Sequence, residues 1–101
     1  MPEMSRKTAK KLLANVPEEH AFRFHDGHVL RNMRELGNAL KTMNKDTFAF
    51  HSNAEKSDFG TWVRDVIGDK KLARDLDGSS DRTQAAKSVA ERVAFLTRKL
   101  S

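Results

Sequence analysis

Four basic side chains near the start of the chain have a spacing suited to binding phosphate groups. Positions i, i+1, i+4 and i+5 of a helix lie along one side, and here they are occupied by Arg6, Lys7, Lys10 and Lys11. A stripe of lysine and arginine neutralises phosphates and binds nucleic acid without reading its sequence. Further basic residues predicted to extend this surface onto two later helices are Arg31, Arg34, Arg92, Arg98 and Lys99.

The charge along the chain is distributed unevenly. The 101 residues carry a net charge of +5. Residues 1–16 contain four basic residues and one acidic residue, and residues 82–101 contain five and one. Residues 46–81 contain eight acidic and five basic residues. Basic ends favour a polyanionic partner. The alternative is that these charges only form a solvated surface.

The histidines suggest a metal site less strongly. His25 and His28 lie three residues apart and His51 follows a second Phe-x-Phe pair, so imidazole ligands for a divalent ion are available. Gly27 favours a turn between the first two, and a histidine at the border of a core is the more common arrangement. The sequence therefore predicts no metal and no cofactor, and leaves open whether these three histidines bind one.

Catalytic groups are sparse. The chain has no cysteine and no tyrosine, which excludes a disulfide, a thiolate zinc site and a cysteine nucleophile. Its serines do not occupy a Gly-x-Ser-x-Gly motif, and no glycine-rich phosphate loop is present. Asp58 and Asp69 are better explained as helix caps than as an acid and base pair. We therefore expect a protein that is not an enzyme.

No long apolar segment is visible in the sequence. Leu12, Leu13 and Ala14 are too few to form the apolar region of a signal peptide, and no stretch is long enough for a transmembrane helix. Together with the lack of cysteine, this predicts a cytoplasmic protein that does not contact a membrane.

The elements that must position the basic residues are mostly helical. The clearest is the segment 58–68, in which Asp58 is the predicted cap and Gly68 the predicted stop. Its apolar residues follow the i, i+3, i+4, i+7, i+8 pattern of one buried face. These residues are Phe59, Trp62, Val63, Val66 and Ile67.

Two longer apolar stripes predict the other main helices. The second helix carries its stripe from Val29 to Met43, with Gly37 allowing a neighbouring helix to approach closely. The last helix begins after the predicted cap Asp81 and runs through Val89 to Leu100. Asp69 is predicted to cap a further helix that ends near Gly78.

The predicted fold is all-α, a compact bundle of about five short helices. Whether Ala21–His25 is an extended segment stays open, because Phe22 and Phe24 alternate with Arg23 at the period of a strand. Pro17 separates a basic N-terminal helix in residues 1–16 from a single helical domain in residues 17–101. The sequence leaves the mobility of that first helix open.

About half of the chain, from Phe24 to Leu76, resembles a small family of archaeal and bacterial helical proteins of unknown function. The resemblance implies a compact helical domain and assigns no activity to any residue. The residues that carry it are His28-Val29-Leu30, Glu35-Leu36, Ala39-Leu40, Phe48, His51, Asp58-Phe59, Trp62-Val63, Asp65-Val66, Gly68-Asp69 and Leu72-Ala73.

Taken together, these patterns predict a small basic protein of the nucleoid or accessory type that contacts nucleic-acid phosphates without catalysis. Whether the partner is DNA or RNA stays open. The alternative is a protein-interaction or self-association module, with a protein partner or homodimer held by the first helix and by aromatic anchors such as Phe22 and Phe24.

Overall fold

The computed structural model describes residues 4–24, 27–53, 55–79 and 81–100. Within these residues six α-helices alternate with short turns, and one antiparallel pair of two-residue strands joins them. The helices are α1 (Arg6–Leu13), α2 (Met33–Thr42), α3 (Lys45–His51), α4 (Asp58–Trp62), α5 (Lys70–Asp77) and α6 (Arg82–Arg98). The strands are β1 (Phe22–Arg23) and β2 (Val29–Leu30). The fold is thus mostly helical rather than purely all-α.

The strand pair corrects the predicted start of the second helix. Val29 continues the apolar stripe of α2, but it pairs with Arg23 as an extended residue. The helix begins only at Met33, because the Asn32 side chain accepts a hydrogen bond from the Glu35 amide at 2.8 Å. The Glu35 carboxylate in turn accepts from the Arg31 amide. This reciprocal cap ends the strand and fixes where the helix starts.

The helix that contains Trp62, in contrast to α2, begins one residue earlier than predicted. Ser57, not Asp58, is its cap and accepts from the Gly60 amide at 3.1 Å. After α4 the chain widens into a π-helical turn over Val63–Ile67, which ends at Gly68 with φ of 93°. Gly68 therefore has the left-handed conformation that the sequence predicted for a helix stop.

The core forms where α2 packs against α6. A Cβ placed on Gly37 would lie 3.1 Å from Val89 Cγ1, so the glycine permits the close approach predicted for it. Arg82 closes the other end of this contact, because its Nη1 donates to the Leu40 and Lys41 carbonyl oxygens at 2.8 Å each. These bonds satisfy carbonyl groups that the end of α2 leaves without helical partners.

An aromatic cluster lies between the strand pair and α4. Phe22 stacks on Phe59 with ring centres 5.2 Å apart, and Trp62 packs edge-on against Phe22 at 5.7 Å. Trp62 Nε1 donates to the His20 carbonyl at 2.8 Å, which fixes the 3₁₀ turn Glu18–His20 against the core. Phe22 and Phe24 are each only 8% exposed. They are core residues and do not serve as exposed anchors.

The first helix packs on the rest of the molecule. Ser5 caps it by accepting from the Thr8 amide at 3.0 Å. Its apolar side joins the same core as the other helices, through Ala9, Leu12 and Leu13. The division into residues 1–16 and 17–101, and the mobility of the first helix, stay predictions.

Candidate nucleic-acid interface

The basic side of α1 faces solvent along its whole length. The helix has alanine and leucine on its buried side, so its lysine and arginine side chains must point outward. All four are exposed, namely Arg6, Lys7, Lys10 and Lys11. None of them forms an ion pair with a carboxylate of residues 4–24, 27–53, 55–79 or 81–100. This helix thus presents four positive charges that the described chain does not neutralise.

The end of α6 lies beside this basic helix. Leu100 shares a shallow concavity with three of its side chains, Arg6, Lys7 and Lys10. One turn earlier, Thr97 Oγ1 accepts a hydrogen bond from Arg34 Nη2 at 3.1 Å. The adjacent contacts of Thr97 and Leu100 therefore bring Arg34 of α2 and the α1 cations to the same end of the molecule.

A groove between α2 and α6 continues this surface. Arg34, Asn38 and Lys41 lie along one side of α2 at i, i+4 and i+7, and all three line the groove. The remaining lining consists of small or branched aliphatic residues and a glycine, namely Gly37, Val89, Ala90, Val93 and Ala94. Among the described residues no carboxylate lines it. We call Arg6, Lys7, Lys10, Lys11, Arg34 and Lys41 the basic surface.

Arg31, a predicted site residue, already has a carboxylate partner. Its Nε and Nη2 donate to the two oxygens of Glu18 at 3.0 and 3.1 Å. The hydrogen bonds from Arg31, and then its charge, hold the pKa of the Glu18 carboxyl below its ordinary value of 4.5. The same bonds raise the pKa of Arg31. Arg31 therefore already has a carboxylate partner, which the α1 cations lack among the described residues.

Arg92, another predicted site residue, points into the protein. Its Nε and Nη2 donate to Asp69 at 2.7 and 3.0 Å, and the two side chains are only 11% and 1% exposed. Asp69 also accepts from the Leu72 amide at 3.2 Å, as the predicted cap of α5. Arg92 thus already donates to a buried carboxylate, unlike the exposed α1 cations.

The last two predicted residues lie at the end of α6. Arg98 lines a second groove, between α5 and α6, that also contains the carboxylates of Asp75 and Glu91. Lys99 Nζ lies 5.3 Å from the centre of the Phe95 ring. Both side chains are exposed, but Arg98 has acidic neighbours that the α1 cations lack. They lie at the edge of the candidate interface.

Only two of the three candidate histidines lie in the described part of the chain. His51 is buried, and its Nδ1 lies 3.0 Å from Asp58 Oδ2, which also accepts from Lys56 Nζ at 3.2 Å. His28 is exposed on the hairpin, and His25 lies outside the described residues. No group of three or more histidine, cysteine, aspartate or glutamate side chains there could hold a metal ion.

Sequence reasoning missed Lys41. The sequence places Lys41 on the same face of a helix as Arg34 and Asn38. That position marks a candidate site residue only because α6 lies beside this face and forms a groove with it. It also missed the partner of Arg92, because no local pattern links residues 69 and 92.

Among the described residues no helix is both long and apolar enough to cross a membrane. No family model, curated protein or solved structure matches this chain. The resemblance over Phe24–Leu76 therefore stays a prediction.

Proposed function

We propose that this protein binds nucleic acid through the phosphate backbone and without catalysis. The observation that carries the proposal is the exposed basic side of α1, whose four cations have no carboxylate partner in the described chain. Unpaired lysine and arginine side chains release counterions from nucleic acid on binding, which drives association. The cations of Arg34 and Lys41 extend the same positive potential along the groove.

The proposed contact set differs from the one predicted from sequence. Arg31 and Arg92 leave it, because each already donates two hydrogen bonds to a carboxylate. Lys41 joins it. Arg98 and Lys99 are peripheral, since Arg98 lines a groove that contains Asp75 and Glu91 and Lys99 lies over the Phe95 ring.

The test compares two triple variants with the same change in charge. In the first, Lys7, Lys10 and Lys11 are replaced by glutamate. In the control, Lys45, Lys70 and Arg74 are replaced by glutamate; these are exposed and lie outside the basic surface. Affinity for random-sequence DNA and RNA, each as a duplex and as a single strand, is measured across a salt series. Helical circular dichroism and Trp62 fluorescence check that each variant is folded.

We expect the first variant to lose affinity strongly and the control to lose much less. The slope of log affinity against log salt should also become shallower by about three in the first variant, one for each lost phosphate contact. Equal losses in the two variants would mean that only the net charge matters. Absence of binding by the native protein at low salt would reject nucleic-acid binding itself.

A second candidate function, association with a protein or with another copy of this chain, is favoured by one exposed ring. Phe50 is 56% exposed, and Lys56 Nζ lies 5.4 Å from its ring centre. Since Phe22 and Phe24 are buried, Phe50 replaces them as the proposed anchor. Self-association of this kind should persist at high salt and disappear in Phe50→Ser, as measured by sedimentation. The cytoplasmic location stays a prediction.

A further inference from the structure

A pocket of different chemistry adjoins the groove between α2 and α6. It has a volume of about 470 Å³, within the ~300–1,000 Å³ range of small-ligand sites. Its lining contains no lysine, arginine or carboxylate among the described residues, but four amide or hydroxyl side chains and several apolar groups. The lining consists of Phe24, His28, Asn38, Ala39, Thr42, Met43, Asn44 and Thr47.

The pocket and the groove meet at one side chain. Asn38 lines both, and it lies between Arg34 and Lys41 on the exposed side of α2. Within the described parts of the chain the Asn38 amide makes no hydrogen bond, so its donors and its acceptor are available to a ligand. A ligand that entered the pocket past Asn38 would have Arg34 and Lys41 on the groove side and mostly amide, hydroxyl and apolar side chains of the described residues inside.

The two surfaces match the two parts of a nucleotide. Phosphates carry negative charge and suit the groove, which is lined by Arg34 and Lys41 and, among the described residues, by no carboxylate. A nucleobase is neutral, planar and edged with donors and acceptors, so it suits amides, hydroxyls and apolar contacts. In a duplex the base edges are paired and stacked, and a single strand can turn a base outward.

We propose that the pocket holds an unpaired base of a single strand whose phosphates follow the groove between α2 and α6. This inference rests on the proposed function, because it takes the strand to be held by the basic surface. It assigns the substrate class: single-stranded nucleic acid is bound more tightly than a duplex of equal length. Asn38 and Thr42 contact the base, while Arg34 and Lys41 contact the flanking phosphates.

The test uses three probes of equal length: a mixed-sequence single strand, an abasic single strand with the same number of phosphates, and a duplex. The variant is Asn38→Ala with Thr42→Val. Its control is Thr61→Val on α4, an exposed residue that lines neither the groove nor the pocket. Among the described residues Thr42 Oγ1 donates only to backbone oxygens of its own helix, and Trp62 fluorescence reports folding.

We expect the native protein and Thr61→Val to prefer the base-containing strand to the abasic strand by about tenfold, the effect of one or two hydrogen bonds. The double variant should lose this preference and keep its affinity for the abasic strand. Equal binding of both strands by the native protein would overturn the base pocket and leave phosphate binding intact. An undiminished preference in the double variant would also overturn it. Binding of no probe at low salt would overturn both proposals.

Discussion

Two arginine–carboxylate pairs in this protein have almost the same geometry and opposite surroundings. Arg31 donates two hydrogen bonds to Glu18, and Arg92 donates two to Asp69, with distances of 2.7 to 3.1 Å throughout. The first pair is 43% and 61% exposed, and the second is 11% and 1% exposed. Burial, not hydrogen-bond geometry, separates their roles.

The buried pair joins the start of α5 to the middle of α6. Asp69 caps α5 through the Leu72 amide and binds Arg92 from the centre of α6, so one carboxylate orders both helices. Removing one member of a buried pair leaves an uncompensated charge. The exposed pair joins Glu18, in the turn before β1, to Arg31, which precedes the cap of α2. Water already solvates both charges at this exposed position. Such a pair contributes little to folding.

The largest effect that we expect comes from Asp69→Asn. Asparagine can still cap α5, but it cannot compensate the buried Arg92 charge, so the free energy of unfolding should fall by about 3–5 kcal/mol. Urea denaturation followed by Trp62 fluorescence measures the loss. Adding Arg92→Met to this variant should restore part of the stability, because the unpaired charge is then gone. A loss below ~1 kcal/mol in the single variant would contradict a structural role for the pair.

A smaller effect on binding separates Arg31 from the basic surface. Lys10→Gln and Arg31→Gln each remove one positive charge, but Lys10, unlike Arg31, has no carboxylate partner in the part of the chain that the structure describes. Lys10→Gln should reduce nucleic-acid affinity and lower the salt slope by about one, whereas Arg31→Gln should leave the slope unchanged. Fluorescence anisotropy titrations at several salt concentrations compare the two. An equal decrease of the salt slope in both variants would show that Arg31 contacts phosphate as Lys10 does.

The effect of the exposed pair on stability should be close to the error of measurement. Glu18→Gln removes the carboxylate but leaves Arg31 in water, so no buried charge is created. Urea midpoints of the native protein and of Glu18→Gln should nearly coincide at pH 7. A large shift of the midpoint would mean that this pair, like the buried one, orders the fold.

The smallest predicted effect concerns pH. The pKa of Glu18 is lower in the folded protein than its ordinary value of 4.5 because of Arg31. Its stabilising contribution is therefore complete above pH 4.5 and disappears as the pH falls from there through the folded-state pKa. An NMR titration of the Glu18 carboxyl should show the lowered pKa, and Arg31→Gln should raise it towards 4.5. Identical titration curves in both proteins would show that the pair does not form in solution.

Much of the local structure was predictable because its causes lie within a few residues. Asp81 accepts from the Gln84 amide at 2.7 Å, Asp69 caps α5, and Gly68 ends its helix, all as the sequence indicated. The predicted start of α2 was wrong, because Val29 fits the apolar stripe of a helix as well as it fits a strand. Only its pairing with Arg23, which depends on the other arm of the hairpin, decides between the two.

The candidate site was predictable in part. A helix with lysine and arginine on one side and leucine on the other has to expose the charged side, so the α1 cations followed from spacing alone. Lys41 and the pocket beside Asn38 could not be predicted in this way, because each needs a second helix or loop to become part of a surface.

The amino-acid sequence by itself determined most of the helices, the caps Asp69 and Asp81, the helix stop at Gly68 and the exposed basic side of α1. These depend on hydrogen bonds and periodicity over three or four residues. Only the tertiary structure decided which cations are available to a ligand. Arg31 and Arg92 meet carboxylates 13 and 23 residues away in the chain, and no short-range pattern specifies such contacts. Charge is a property of the residue, whereas its availability depends on what the fold places beside it.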